Sequence, residues 1–214
     1  MSNFEYIIAS LPVLIPDYKY AEGQGFGQLI EEIRENLSEA DNAAMDLLLR
    51  GLDGKTLDED FYAAALKHRN RFIRNYFLFD LNLRNAKVRY LNARLGRPEG
   101  QDLITGENPE ADDADIEGFR FREGEFAEAA ALEDILSGDD LLAREKALDD
   151  LVWKKVEDLT TFDYFDLEAV LGFIAKLHIA DRWLALDPEE GRERFRRLVK
   201  EVKGTFKGIN YTES

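Results

Sequence analysis

From Leu57 to Leu95 the chain runs for 39 residues without Gly or Pro, and this stretch shapes the reading of the rest. Its second half places Phe77, Leu81, Arg84, Val88, Leu91 and Leu95 at steps of 4, 3, 4, 3 and 4. That spacing is a heptad stripe, which predicts a long helix packed lengthwise against one or two others. Thr56-Leu57-Asp58-Glu59 reads as its capping box, and Gly96 with Pro98 as its stop. A kink is expected between Asn70 and Asn75, where helix propensity is lowest.

The other segments follow the same period. A helix is predicted from about Leu29 to Asn36, and a second to about Arg50, capped by Ser38 or Asp41 and stopped by Gly51. Helical pattern returns from Glu125 to Leu136. Ser137-Gly138-Asp139-Asp140 then caps a helix with Leu141, Leu148, Leu151, Val152, Val156 and Leu159 on one side. Asp166 can cap another through about Leu186, whose apolar face is Leu167, Val170, Leu171, Ile174, Leu177 and Trp183. Asp187-Pro188-Glu189-Glu190 starts a last helix to about Lys203, and the tail after residue 204 is expected to fray. The opening Phe4–Leu11 is short and apolar, and reads equally as a strand or a first helical turn. The expectation is an all-α fold of roughly seven helices, a bundle of long antiparallel rods in one domain spanning residues 1–214. Residues 99–124 are its expected mobile acidic loop.

Charge changes the picture more than composition does. The net charge is -16, which repels nucleic acid and anionic lipid. Yet Lys67–Arg97 holds nine Lys or Arg against one acid, Asp80. Glu99–Asp150 holds 18 acids against 4 basic residues, and Arg192–Lys207 turns basic again. The aromatics among the first cluster, such as Phe72, Tyr76 and Phe79, recur at helical spacing, so core packing explains them and nucleic-acid binding is not expected. An acidic protein partner, or the chain's own Glu99–Asp150 stretch folding onto them, suits these cations better. The candidate contact residues are Arg84, Lys87, Arg89 and Arg94, with Arg192, Arg196 and Arg197 as a second patch. Asp80 and Arg84, spaced i,i+4, are a candidate ion pair that fixes the register of the long helices.

Candidate chemistry is sparse. The chain has no Cys and only two His, His68 and His178. Ala65 and Ala175 stand three residues before them, where a di-iron bundle would carry Glu. Gly23-Gln24-Gly25-Phe26-Gly27 lacks the Gly-Lys-Ser/Thr ending of a phosphate loop. Asp112, Asp113 and Asp115 lack the calcium-loop pattern. No catalytic residue, metal or cofactor is therefore expected, although carboxylates such as Asp80 or Glu168 keep a cryptic enzyme as a third reading. No run of eighteen apolar residues and no basic leader followed by a cleavage site occur, so the expected compartment is the cytoplasm.

Three segments carry a family resemblance. Tyr76-Phe77-Leu78-Phe79-Asp80-Leu81-Asn82-Leu83-Arg84-Asn85-Ala86-Lys87-Val88-Arg89 resembles the Asp-x-x-Asn or Asp-x-Asn helix of the C-subunit of V-type and A-type rotary ATPases. The segment from Phe165 to Trp183 resembles the recurring helix of that protein, an apolar run leading to Lys and then to an acidic or Arg-bearing end. Tyr6-Ile7-Ile8-Ala9-Ser10-Leu11-Pro12 resembles the start of an uncharacterised bacterial family encoded beside V/A-type ATP synthase genes. The resemblance implies part of a helical funnel that seats the central rotor stalk on the membrane ring without chemistry of its own. The partners it implies are other subunits of that ATPase. It also implies a place at the inner face of the plasma membrane, held there through the complex. The alternative is a free-standing helical adaptor for an acidic partner.

Overall fold

The computed structural model describes residues 2–14, 25–104 and 126–185. Among them there are eight helices and no strand. Helix α8, Leu167–Ala185, is the centre. It buries Val170, Leu171, Gly172, Ile174, Ala175, Leu177, Ile179 and Ala180, residues that surround the helix axis, not one stripe of it. It therefore has neighbours on most sides. These are α1 (Phe4–Ser10), α2 (Phe26–Asn36), α3 (Glu39–Asp53), α5 (Arg71–Leu95) and α7 (Leu141–Leu159). Two shorter helices, α4 (Glu59–Leu66) and α6 (Ala129–Ser137), pack on α5. The ambiguous opening segment is thus a helix, with Ile7 buried and the Asn3 side chain accepting from the Tyr6 amide at 3.1 Å.

Local signals place most helix starts. The Ser38, Asp140 and Asp166 side chains accept from amides of the first turns of α3, α7 and α8. Ser2 adds a long-range tie, donating to Asp41 at 2.6 Å and accepting from the Ser38 amide at 2.7 Å. Helix ends differ from the expectation where packing intervenes. Gly51 lies inside α3, and Gly54 ends that helix in the left-handed region at φ 72. A Cβ at Gly51 would collide with the rings of Phe77 and Phe61, so close approach explains this glycine, not termination. The cap of α4 is Asp58 and not Thr56, and α2 and α6 begin at Phe26 and Ala129 instead of Leu29 and Glu125. Leu141, assigned to the apolar side of α7, is exposed.

The predicted 39-residue helix is two helices, broken at Lys67–Asn70. Asn70 takes extended backbone and caps α5 by accepting from the Ile73 amide at 3.1 Å. Arg74 reaches back to the carbonyls of His68 and Arg69 at 2.7 and 2.8 Å, satisfying oxygens the break exposes. The kink expected at 70–75 is therefore a full break just before it. Past the break, α5 is buried on two sides. Phe72, Ile73, Tyr76, Phe77 and Leu81 join the main core, whereas Phe79 and Leu83 join a second cluster with Phe126, Leu132, Leu136 and Leu148. The heptad stripe thus packs only in part. Phe77 and Leu81 are buried, but Leu91 and Leu95 are 54% and 60% exposed.

The stretch after α5, expected to be the least ordered, is pinned as far as Ile104. Asn85 exchanges two hydrogen bonds with the Ile104 backbone at 2.8 and 3.0 Å, and Asn92 donates to the Gln101 carbonyl at 2.8 Å. Both asparagines are buried, and these bonds satisfy side chains that would otherwise oppose folding. The acidic run at 107–115, the helix expected at 187–203 and the tail after 204 lie outside the described residues.

The close approach at Gly51 can be tested by stability. Gly51→Ala should lower the unfolding free energy by about 1–3 kcal/mol, the usual cost of overpacking a core. Gly27→Ala, in α2 with open space around its Cβ position, should raise it by about 0.5 kcal/mol. Urea unfolding of both variants checks the pair; equal effects would remove the close-approach argument. A pH dependence is expected from His178, which packs edge-on to Phe26 at 6.0 Å. Burial and then Arg182 push its pKa below 6.5, with Asp181, Asp149 and Asp53 opposing. The unfolded chain therefore takes up the proton first as pH falls. The stability contributed by the neutral ring is complete above about pH 6.5 and is lost as pH drops through that value towards the folded pKa. Unfolding midpoints between about pH 8 and pH 5.5 should decline, and His178→Gln should flatten the slope.

Candidate interaction surface

The polar centre of α5 is built around one carboxylate oxygen. Tyr62 of α4 donates its hydroxyl to Asp80 Oδ2 at 2.6 Å, and Arg84 Nε donates to the same oxygen at 2.7 Å. Asp80 and Arg84 thus pair, and Tyr62 joins them. The Tyr62 side chain is buried, and burial followed by the Asp80 charge drives its phenol pKa far above 10.0, so it remains a donor. Burial opposes the Arg84 charge, but Asp80 outweighs it and holds the guanidinium above its usual value. The two bonds differ in worth. The Arg84 side chain is 41% exposed, so its ion pair contributes about 0–1 kcal/mol. A buried hydroxyl bonded to a charge is worth about 1.5–3 kcal/mol. Of the two polar bonds between or beside α4 and α5, the stronger is therefore that of Tyr62, a residue that no spacing or motif in the chain singles out. Apolar packing such as Phe61 on Phe77 holds the hairpin alongside it.

Beyond Arg84 the helix divides into faces. Arg84, Lys87, Val88, Leu91, Arg94 and Leu95 share one face by helical spacing. Arg94 there donates to the Tyr90 hydroxyl at 2.8 Å. Arg89 falls on another face, where Ala86, Tyr90 and Ala93 meet Leu132 and Leu136 of α6 across a groove of about 500 Å³. The structure thus separates Arg89 from Arg84, Lys87 and Arg94. Arg192, Arg196 and Arg197 lie outside the described residues.

Two further features were not anticipated. Asp149, buried on α7, accepts from Arg182 and, at 2.6 Å, from Trp183 Nε1, fastening the end of α8. The turn between α7 and α8 exposes Phe162, Tyr164 and Phe165, beside a cleft of about 350 Å³ lined by Leu11, Val13, Phe173 and Lys176. The turn is fixed by Arg71, which grips both Asp163 oxygens at 2.7 and 2.8 Å. Three aromatics within a seven-residue interhelical turn were the available signal. Among the described residues no group of three or more His, Asp or Glu is placed to hold a metal ion, and no helix is long and apolar enough to cross a membrane.

Tyr62→Phe should cost about 1.5–3 kcal/mol in urea unfolding, whereas Arg84→Met should cost under about 1 kcal/mol. The reverse order would show that the ion pair, and not the hydroxyl, fastens the hairpin.

No curated protein and no solved structure matches the chain. Residues 53–205 match the family described as Protein of unknown function (DUF2764). That region runs from the end of α3 through α8, and takes in the Asp80 network, the exposed face of α5 and the aromatic turn. With most of its length in the match, the chain belongs to that family.

Proposed function

We propose that this protein is a non-catalytic helical docking protein, working as a C-subunit-like central-stalk connector or accessory of a bacterial V/A-type rotary ATPase. The observation that carries the docking role is the C-terminal half of α5. Ala86 and Tyr90 keep one side of it on the second core cluster, and the other side leaves Leu91 and Leu95 exposed in line with Arg84, Lys87 and Arg94. Apolar residues flanked by single-sign charge suit a partner helix better than solvent.

The link to the ATPase rests on the sequence resemblance. Its two longer segments, Tyr76–Arg89 and Phe165–Trp183, fall on the middle of α5 and on α8, the two helices that organise the bundle. The partners on this reading are the rotor stalk and membrane-ring subunits, which would hold the chain at the inner face of the membrane. A second reading, a free-standing adaptor for an acidic protein, is favoured by the cationic face on a chain of net charge -16.

Affinity capture of the tagged chain from its native cells, with mass spectrometry of what is retained, separates the two. Recovery of rotary ATPase subunits is the expected result. Recovery of unrelated acidic proteins alone would favour the adaptor, and recovery of neither would sink the docking role.

A further inference from the structure

The exposed half of α5 has a more specific logic, which rests on the docking reading above. In the heptad written from its stripe, Leu81, Val88 and Leu95 occupy a positions, and Phe77, Arg84 and Leu91 occupy d positions. The flanking positions then follow. Asp80, Lys87 and Arg94 are the g residues, and Asn85 and Asn92 are e residues. The two flanks behave differently. Asn85 and Asn92 are buried and spend their side chains on the backbone of residues 99–104, so the e side is walled by this chain itself. The g side turns cationic where the seam emerges: Asp80 already holds Arg84 and Tyr62, and beyond it come Lys87 and Arg94.

We propose that the last three turns of α5 are an open coiled-coil seam that takes an acidic amphipathic helix from a partner protein. Val88, Leu91 and Leu95 receive the partner's apolar stripe, and Lys87 and Arg94 select carboxylates on its near flank. In coiled coils the a and d residues supply affinity, and the flanking charges choose the partner. A second copy of this chain is disfavoured. Antiparallel, it would bring Lys87 and Arg94 against the same cations; parallel, it would offer them Asn85 and Asn92, already bonded to residues 99–104, in place of carboxylates.

The test uses two synthetic peptides of about four heptads, with Leu at a and d and either Glu or Lys at every e and g position. Each repels itself, so neither is removed by self-pairing. Fluorescence anisotropy against the full chain should show the Glu peptide binding at least about tenfold more tightly than the Lys peptide. That preference should shrink between about 0.05 and 0.5 M salt. A Lys87→Glu, Arg94→Glu double variant should reverse it, and a Leu91→Glu, Leu95→Glu variant should bind neither peptide. Circular dichroism melts confirm that both variants fold. Equal binding of the two peptides, no binding, or undiminished binding by the leucine variant would overturn the proposal. So would sedimentation showing a wild-type dimer that the leucine variant lacks, or binding that appears only after residues 105–125 are deleted. The leucine variant also separates this inference from the ATPase reading. If it still captures ATPase subunits, the seam is wrong and the reading survives. If the peptides behave as expected but no part of the ATPase is captured, the seam survives without that assignment.

Discussion

The bundle depends on α8 being apolar around most of its circumference. A helix with one apolar stripe needs one neighbour, but a helix with no polar side must be enclosed. Leu167–Ala185 is enclosed by five others, and its small residues set how closely they approach. A Cβ at Gly172 would come within 2.7 Å of Thr160 Cγ2, so the end of α7 lies almost on the α8 backbone. That contact fixes where α7 turns, and with it the place of the aromatic turn. The Asp149 bonds to Arg182 and Trp183 then hold the other end of the pair.

Enclosing α8 leaves α5 with a divided task. Its first half contributes to the main core on one side and to the α6–α7 cluster on the other. Its second half keeps Ala86 and Tyr90 on the α6–α7 cluster along one side and leaves Leu91 and Leu95 exposed on the other. A 25-residue helix is about 37 Å long, more than a bundle centred on a 19-residue helix needs to cover it. The surplus carries Lys87, Arg89, Asn92 and Arg94, but it is not polar all round, as an ordinary exposed helix end would be. It keeps the seam pattern of the buried half, in Val88, Leu91 and Leu95. Continuity of the pattern past the point where the chain's own packing ends is the physical basis for reading it as a contact surface.

What the sequence disclosed depended on whether the cause was local. Ser38, Asp140 and Asp166 cap their own helices through bonds two or three residues away, so the pattern of nearby residues was sufficient to find them. The helical class followed from apolar spacing. The break at Lys67–Asn70 was illegible as a break because Lys67-His68-Arg69-Asn70 contains neither Gly nor Pro, and its exposed carbonyls are satisfied by Arg74 from the next helix. Gly51 looked like a stop because glycine usually ends helices, whereas its neighbours Phe61 and Phe77 come from other helices. At the candidate surface, the Asp80–Arg84 spacing was readable and the Tyr62 hydroxyl was not, being 18 residues away from Asp80. Asn85 and Asn92 read as ordinary polar positions, because only the return of residues 99–104 gives them work.

Charge segregation explains why the surplus of α5 can stay open. A leucine-bearing seam invites self-association, and a chain with charges evenly mixed would have no defence against it. Here the cations are concentrated on the helix that carries the seam, within a chain whose net charge is -16. Two copies approaching seam to seam and antiparallel meet like charge at close range, and two copies approaching elsewhere meet the repulsion of the acidic whole. The encounter that the proposed seam would favour is with a helix carrying acids beside its apolar stripe. On the docking proposal, the same distribution would both keep the face available and restrict what it accepts, giving openness and selectivity one electrostatic origin.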